Sequence, residues 1–361
     1  MENIIHCKNG YAPLTKELKK LSKPLIVCGG SAKRLEIFKL ITSELKSFAL
    51  FSDYSPNPSY ESAVSGTAIF LESECDSIIA IGGGSAMDVA KCIKCFSPLD
   101  QKKELISQKP QDLNPLPFFA IPTTAGTGSE ATHFAVIYLK GEKISVAHKS
   151  LVPDKVIIDP SVLDSLPLYQ RKATAMDAVC HAIEAFWSVN STIESKEYSR
   201  QALLDIEATL SGYLSNLPDK NEEMLFKANL AGKAINLAKT TAAHAMSYKL
   251  SSLYGISHGH AAAICLREVW KELLEQRDND ILSSTLLELA KALGKESAQE
   301  GYEFFCNILS VIELEAPRAT EDELLLLTES VNLQRLKNTP VSFDHDTIYK
   351  MYKRMLCQNG R

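Results

Sequence analysis

The chain has 361 residues, which is more than one hydrophobic core usually holds, so two domains are expected. Hydrophobic residues make up 45% of the sequence and charged residues 23%, as in ordinary globular proteins, and these proportions exclude the disordered and fibrous classes. The formal net charge is -5 and no run of Lys and Arg is present, so neither nucleic acid nor a membrane is expected as a partner.

The expected compartment follows from the first residues and from the cysteines. Met1 to Tyr11 carry charges and lack the apolar run of a secretory signal, and no segment approaches the length of a membrane span. Nine cysteines, an odd number, are spread along the chain without the spacing of a disulfide framework. The sequence therefore predicts a cytoplasmic protein whose cysteines are free thiols.

The first part of the chain alternates strand-like and helical patterns. Short apolar runs at 24–28, 48–52, 77–81 and 117–121 predict strands, and 32–47 and 59–72 predict helices. This rhythm predicts a doubly wound, Rossmann-like α/β domain with buried parallel strands. Two further strands are expected at 143–147 and 155–158, before Asp159-Pro160.

Helical periodicity replaces the strand signals after that point. Helices are predicted at 171–189, 194–213, 221–238, 240–253 and 258–276, with shorter helices to the end of the chain. The sequence thus predicts an α/β domain over residues 1–161 and an all-α domain over residues 162–361.

Two loops that follow predicted strands favour phosphate binding. After the run that ends at Ile81, Gly82-Gly83-Gly84-Ser85 leads into a helix, whose free N–H groups and positive dipole end attract an anion. The segment Thr123-Thr124-Ala125-Gly126-Thr127-Gly128-Ser129 follows the next apolar run and adds hydroxyl groups. One such loop is also compatible with a plain structural turn, but two at successive strand ends favour a nucleotide.

The first strand-to-helix turn bears on the choice of cofactor. Gly29, Gly30 and Ser31 are followed by Lys33 and Arg34, and no acidic residue stands where it would repel a ribose 2′-phosphate. This favours NADPH, with NADH as the alternative. The two cations are equally compatible with a solvated start of a helix.

Four polar residues of the helical domain form a candidate metal site. Asp177 and His181 are four residues apart in a helical pattern and so share a face, while His244 and His258 come from two later segments. All four have apolar, small-residue surroundings, where unpaired polar groups are costly. One carboxylate and three imidazoles suit a divalent ion, with Fe(II) favoured and Zn(II) as the alternative.

Together these residues resemble the iron-containing (group III) alcohol dehydrogenase family, which is related to glycerol dehydrogenase and dehydroquinate synthase. The resemblance covers nearly the whole chain and depends on Gly82-Gly83-Gly84-Ser85 with Asp88 and Lys91, the Thr123 to Glu130 loop, Asp159-Pro160, Asp177 with His181, and His244 with His258-Gly259. It implies a dinucleotide-binding domain at 1–161, a metal- and substrate-binding domain at 162–361, an active-site cleft between them, and a homodimer. The implied activity is NAD(P)H-linked interconversion of a small aldehyde and its primary alcohol.

The resemblance also implies a role for individual positions. The implied metal ligands are Asp177, His181, His244 and His258. The implied cofactor contacts are Gly83, Gly84, Ser85, Thr123, Thr124 and Ser129, with Lys143 near the nicotinamide ribose, and with Gly29, Gly30 and Ser31 as in NADPH-preferring variants. Asp88 and Thr127 complete the predicted cofactor set.

One position departs from the family pattern. Four residues after His244, many members carry a second histidine near the substrate, whereas this chain has Tyr248. Tyr248 and His258 are predicted to act in catalysis, with Tyr248 either donating a proton or shaping the pocket.

The segments Ala238 to Tyr248 and Tyr254 to His260 resemble the phosphonoacetaldehyde reductase branch of the family. This resemblance predicts phosphonoacetaldehyde as substrate, 2-hydroxyethylphosphonate as product and a place in phosphonate metabolism. Lys239, Thr240 and Ser247 are candidate contacts of the phosphonate, although Lys239 is equally compatible with a solvated position. Two alternatives stay open, namely a metal-dependent lyase or cyclase similar to dehydroquinate synthase, and a non-catalytic metabolite-binding relative.

Overall fold

The computed structural model describes residues 3–111, 114–276 and 278–357. The described chain separates into two compact units, one up to Leu166 and the other from Pro167 onward. The first unit contains β1 Ile4–His6, α1 Ala12–Leu18, β2 Pro24–Cys28, α2 Glu36–Glu44, β3 Ala49–Phe51, α3 Tyr60–Glu72, β4 Ser77–Gly82, α4 Gly84–Phe96, β5 Phe118–Pro122, β6 Phe134–Leu139, β7 Glu142–Ala147 and β8 Lys155–Ile158. The second contains α5 Leu168–Trp187, α6 Ile193–Leu203, α7 Ile206–Leu214, α8 Pro218–Ala238, α9 Ala242–Tyr254, α10 His258–Leu274, α11 Asp280–Ala292, α12 Ala298–Ile312, α13 Glu321–Glu329, α14 Leu333–Leu336 and α15 His345–Leu356.

Six strands of the first unit form one parallel sheet in the order β1-β8-β5-β4-β2-β3. Every residue of β2, β4 and β5 is buried, which explains why these strands are continuous apolar runs. In the register of the sheet, Cys28 is opposite Ile81 and Gly82 is opposite Pro122. The carboxyl ends of three neighbouring strands are therefore level, and the turns that follow them lie along one edge, as the α/β prediction requires.

The core of the first unit holds the glycine turn in place. Met87, Val89, Ala90 and Ile93 of α4 are buried in one cluster with Ile78 and other apolar residues of the sheet. This packing anchors α4 immediately after the turn at Gly83.

Two predicted helices are wrong in their extent. Residues 32–47 form a 3-10 turn at Ala32–Arg34 and then α2, because Leu35 has extended backbone with ψ of 144°. Residues 194–213 form α6 and α7, because Asp205 adopts a positive φ of 51° between them. The elements β1, α1 and β6 were not predicted from the sequence.

The first unit extends to Leu166, whereas the sequence places the boundary after residue 161. A 3-10 turn at Pro160–Leu163 is capped by Asp159, whose side chain accepts a hydrogen bond from Ser161 N. Tyr11 donates its hydroxyl to Asp159 Oδ2 at 2.8 Å. These contacts tie the turn to the first unit.

In the second unit, α5 is the central helix and packs against α6, α8 and α10. From Ala175 to Trp187 every residue of α5 is buried, so the polar side chains in this stretch need partners inside the unit. None of the helices that the structure describes is both long and apolar enough to cross a bilayer.

Candidate metal centre and phosphate-binding loops

Three helices of the second unit bring the predicted metal ligands together. Asp177 and His181 lie one turn apart on α5, His244 is in the first turn of α9, and His258 is the first residue of α10. Gly259 allows α10 to approach α5 closely, since a Cβ at this position would lie 2.1 Å from Ala173 O. The lack of a side chain at Gly259 therefore brings His258, the preceding residue, close to α5.

Asp177, His244 and His258 form a compact group of donors. One ligand atom from each lies within 4.8 Å of the other two. Asp177 Oδ1 and His244 Nε2 are 3.5 Å apart, and within the described part of the chain neither atom has a hydrogen-bond partner. Both side chains are about 2% exposed, so leaving these atoms unpaired is costly. A divalent cation satisfies both atoms, and the residues present therefore fit one.

His181 lies beside this group. Its Nε2 is 3.9 Å from Asp177 Oδ1, and its ring stacks on the His244 ring with centroids 4.5 Å apart. The structure thus gathers the four predicted ligands in one region, in which Asp177, His181 and His244 are buried and His258 is half-buried. The ligand atoms of Asp177, His244 and His258 form the tightest set.

Glu184 is a further polar residue of this region, and it was not predicted from the sequence. It lies on α5, is completely buried, and its Oε2 forms a short hydrogen bond with His244 Nδ1. Its Oε1 accepts from Thr241 N at 2.9 Å and from Thr241 Oγ1 at 2.6 Å. The available signal was an acidic residue three positions after His181 in an otherwise apolar part of the helix.

The charges of the region favour a cation. Burial by itself raises the pKa of Asp177, but His181, His244 and His258 outweigh burial and hold that pKa well below its ordinary range. Burial lowers the pKa of His244, but Glu184 and Asp177 outweigh it and raise this pKa to about 9. Two buried carboxylates thus create a strongly negative local potential, which a bound metal ion would neutralise.

Tyr248 adjoins the metal region. Its ring is stacked on the His258 ring, with centroids 5.3 Å apart and planes 4° from parallel. Arg335 Nη1 donates to the Tyr248 hydroxyl at 2.9 Å, and the guanidinium carbon is 5.0 Å from the centre of the tyrosine ring. The sequence offered no signal for Arg335, which belongs to the short helix α14.

The three predicted substrate contacts have different surroundings. Lys239 is exposed at the end of α8, with a positive φ of 63°. Thr240 is half-buried, and its carbonyl accepts from Asn338 Nδ2 at 3.0 Å. Ser247 is buried, donates to His244 O at 2.9 Å, and its Oγ is 3.5 Å from His258 Nδ1. Ser247 therefore supports a candidate ligand.

In the first unit, the two predicted phosphate loops pack against each other. A Cβ at Gly83 would lie 3.2 Å from Thr124 Oγ1, and one at Gly84 would lie 3.1 Å from Thr127 Cγ2. Gly83 caps α4, so the free N–H groups of its first turn, including that of Ser85, face this junction. Such an arrangement is suited to binding a pyrophosphate.

Asp88 and Lys91 of α4 hold the second loop. Ser129 Oγ donates to Asp88 Oδ1 at 3.0 Å. The buried Lys91 ammonium donates to Ser129 O at 2.6 Å, to Thr132 Oγ1 at 2.8 Å and to Phe134 O at 2.8 Å. Both charged side chains are thus engaged with the loop that contains Ser129.

The remaining predicted cofactor residues occupy three places in the first unit. Gly29, Gly30 and Ser31 follow β2, next to the strand that leads into Gly83. Thr123 N donates to Gly82 O at 3.0 Å, which joins the ends of β4 and β5. Lys143 lies in the β6–β7 hairpin, and its charge acts on Asp88.

Two family models match the chain. Residues 2–160 match the model described as iron-containing alcohol dehydrogenase, and residues 172–356 match the C-terminal model of the Fe-containing alcohol dehydrogenase family. Long-chain-alcohol dehydrogenase 1 of Geobacillus thermodenitrificans is 31% identical over 265 residues, which cover 70% of this chain and 67% of that protein. NADPH-dependent butanol dehydrogenase of Clostridium saccharobutylicum is 31% identical over 278 residues, which cover 74% of this chain and 71% of that protein.

A solved structure shows the same fold. The sulfoacetaldehyde reductase of Bifidobacterium kashiwanohense, determined in complex with NAD+, has a TM-score of 0.90 and 24% sequence identity. The comparison covers 99% of this chain and 97% of that chain.

Proposed function

Because the chain belongs to the iron-containing alcohol dehydrogenase family, whose members are oxidoreductases that use NAD(P)H and a divalent metal ion, we propose that it reduces a small aldehyde to the primary alcohol. The proposed reaction consumes one aldehyde, one NAD(P)H and one proton, and yields the alcohol and NAD(P)+. The observation that carries this proposal is the group of Asp177, His244 and His258, in which the first two residues are buried and two of their polar atoms lack a partner in the described chain.

Asp177, His244 and His258, with His181 beside them, are the residues that would hold the ion. When bound, a divalent metal polarises a carbonyl as a Lewis acid, and the reduced nicotinamide supplies the hydride. Glu184 fixes the orientation of the His244 ring, and Ser247 does the same for His258. Fe(II) is the proposed ion, with Zn(II) as the alternative.

The first unit would bind the cofactor through the turns along one edge of its sheet. The backbone at Gly83, Gly84 and Ser85 presents free N–H groups to the pyrophosphate. Thr123, Thr124, Thr127 and Ser129 would line the second loop, Asp88 would support it, and Lys143 would lie near the nicotinamide ribose. Gly29, Gly30 and Ser31 would bind a 2′-phosphate together with Lys33 and Arg34, which favours NADPH.

We propose phosphonoacetaldehyde as the substrate, and hence a role in phosphonate metabolism. The support is the resemblance of residues 238–248 and 254–260 to reductases of that aldehyde. Thr240 and Ser247 remain proposed contacts of the phosphonate. Lys239 is exposed, which argues against a role as a buried contact of this anion. The product oxygen requires a proton, and the Tyr248 hydroxyl beside His258 is the group of this chain proposed to supply it.

The decisive experiment is an aldehyde panel that includes phosphonoacetaldehyde, assayed with NADPH and with NADH under Fe(II) and under Zn(II). Loss of reduced-nicotinamide absorbance with an aldehyde supports the proposal. A chelator and His258→Ala should each abolish turnover while circular dichroism shows a folded chain. His345→Ala, which removes an exposed histidine of α15, is the matched control and should keep turnover.

Two outcomes overturn the proposal. Phosphate release without net consumption of NAD(P)H indicates the lyase or cyclase, and metal and cofactor binding without turnover across the panel indicates a binding protein. Two further expectations are tested separately. Light scattering of the purified protein tests for a homodimer, and fractionation of cells that produce the protein tests for a cytoplasmic location.

A further inference from the structure

Arg335 carries a positive charge that the described protein does not neutralise. Arg335 is half-buried, yet no carboxylate of the described residues lies within 4.0 Å of its guanidinium. The arginines of comparable burial in this unit differ, since Arg354 bonds to Glu268 and Glu272. Such a cation has reduced access to water, and a negatively charged ligand would stabilise it.

The partners that Arg335 does have hold it in one orientation. One N–H donates to the Tyr248 hydroxyl at 2.9 Å, and the guanidinium carbon lies 5.0 Å from the centre of the Tyr248 ring. These two contacts fix the plane of the guanidinium while leaving its other N–H donors uncommitted. A planar fork of free donors is the arrangement that binds phosphonate, sulfonate or carboxylate oxygens in a bidentate manner.

The position of Arg335 links it to the metal region. The Tyr248 ring is stacked on the ring of His258, a candidate ligand, so Tyr248 contacts both the guanidinium and that ligand. An aldehyde with a carbonyl at one end and an anionic group at the other has the two features that these neighbouring groups recognise. A neutral aldehyde has only the first.

We propose that Arg335, held by Tyr248, is a specificity-determining residue that binds the anionic group of a short aldehyde. The inference rests on the proposed aldehyde reduction and deepens it, because it assigns the selection of anionic substrates to a residue outside the predicted set. The shared chemistry of the substrates is a phosphonate, sulfonate or carboxylate attached a few bonds from the carbonyl.

The competing explanation is structural. Arg335 also joins α14 to α9 through Tyr248, and a residue with that role alone would affect all substrates alike. The two explanations predict different effects of an Arg335 substitution on one quantity, the ratio of kcat/KM for an anionic aldehyde to kcat/KM for a neutral aldehyde. That ratio is insensitive to the fraction of enzyme that is folded.

The test measures this ratio for the metal-loaded wild type, Arg335→Gln and Arg335→Lys. The anionic probes are phosphonoacetaldehyde, sulfoacetaldehyde and succinic semialdehyde, which distinguish the three anions, and the neutral probe is propanal. We expect Arg335→Gln to lower the ratio roughly ten- to hundredfold, mainly through KM, and Arg335→Lys to restore part of it. Lys337→Gln removes an exposed charge two residues away and should leave the ratio unchanged.

A ratio that stays within about threefold of the wild type in Arg335→Gln overturns the inference, as does a wild type that reduces propanal but none of the anionic probes. Failure of the proposed function has a different signature, since the wild type then reduces neither propanal nor an anionic probe. In that case ethylphosphonate binding by calorimetry still decides the role of Arg335. Binding that is weakened at least tenfold in Arg335→Gln supports it, and unchanged or absent binding rejects it.

Discussion

The carboxylate of Glu184 forms a hydrogen bond with Nδ1 of His244, a residue 60 positions away in the chain. With Nδ1–H donating to the carboxylate, loss of the second ring proton on metal binding would leave the lone pair at Nε2, the atom that lies 3.5 Å from Asp177 Oδ1. Thr241 fixes the other carboxylate oxygen through its backbone and its hydroxyl. The His244 ring is therefore held with its ligand atom directed at the candidate metal position.

Replacing this carboxylate should weaken metal binding without removing a candidate ligand. We expect Glu184→Gln to lower metal affinity about 10- to 100-fold, because the amide holds and polarises the His244 ring less well. The affinity is measured by competition with a chelator. Glu268→Gln is the matched control, since Glu268 is also buried but bonds to Arg354. Equal affinities in the wild type and Glu184→Gln would show that His244 is held by other contacts.

The close crossing of α5 and α10 gives a second prediction. In Gly259→Ala, the added methyl would meet Ala173 O at 2.1 Å and Asp177 Cβ at 2.6 Å, so α10 must move away from α5. We expect the free energy of unfolding to fall by about 1–3 kcal/mol, together with a loss of metal content, because His258 moves with the helix. Denaturant unfolding and metal analysis provide the two measurements.

The matched control for this substitution is Gly212→Ala. Its methyl would contact Lys220 Cγ at 2.5 Å, which belongs to a flexible side chain that can move aside. Metal content should therefore stay at the wild-type level. A Gly259→Ala protein with full metal content would contradict the role assigned to the crossing.

Lys91 provides a prediction about the cofactor loop. Lys91→Met leaves the carbonyls of Ser129 and Phe134 without the ammonium that they accept from. We expect the free energy of unfolding to be about 1–3 kcal/mol lower at neutral pH. The KM for NADPH should rise as well, because the loop that contains Ser129 loses its anchor.

The lowered pKa of Lys91 predicts that the stability of the folded chain depends on pH. Burial lowers the pKa of Lys91 from 10.5 to about 8, against the opposing effects of Asp88 and Glu130. Between these two values the unfolded chain binds more protons at this position, so the stability of the folded chain rises with pH through that window. Below about pH 8 the lysine is protonated in both states, and its titration no longer changes the stability. The stability difference between the wild type and Lys91→Met should therefore widen from pH 8 to pH 10.5 in denaturant titrations.

The control for the pH series is Lys102→Met, which removes an exposed lysine of the same unit. Its stability should follow the wild-type curve across the window. A wild-type curve that runs parallel to that of Lys91→Met would mean that Lys91 titrates alike in the folded and unfolded chains.

The choice between NADPH and NADH should depend on Lys33 and Arg34, the exposed cations that follow β2. In the double variant Lys33→Gln/Arg34→Gln, we expect the KM for NADPH to rise roughly tenfold or more, because the 2′-phosphate loses its charged donors. The KM for NADH should change little. Lys39→Gln, on the following helix α2, is the control. Equal effects on both cofactors would place the 2′-phosphate elsewhere.

The sequence by itself determined the fold class of both units and the exact bounds of two strands. Pro24–Cys28 and Lys155–Ile158 are predicted with their observed bounds, because a buried parallel strand is a continuous apolar run that ends where polar or glycine residues begin. The shared face of Asp177 and His181 follows from helical spacing alone. All of these are local properties, which depend only on residues near each other in the chain.

Only the tertiary structure decided which polar groups become partners. Glu184 and His244, and likewise Tyr248 and Arg335, are brought together by the packing of helices that are distant in the chain. The break at Asp205, which has a positive φ of 51°, lies between two helices that both pack against α5 and α8, and no pattern in the neighbouring residues predicts it. The physical reason is that burial makes an unpaired polar group costly, while the identity of its partner depends on the relative placement of whole helices.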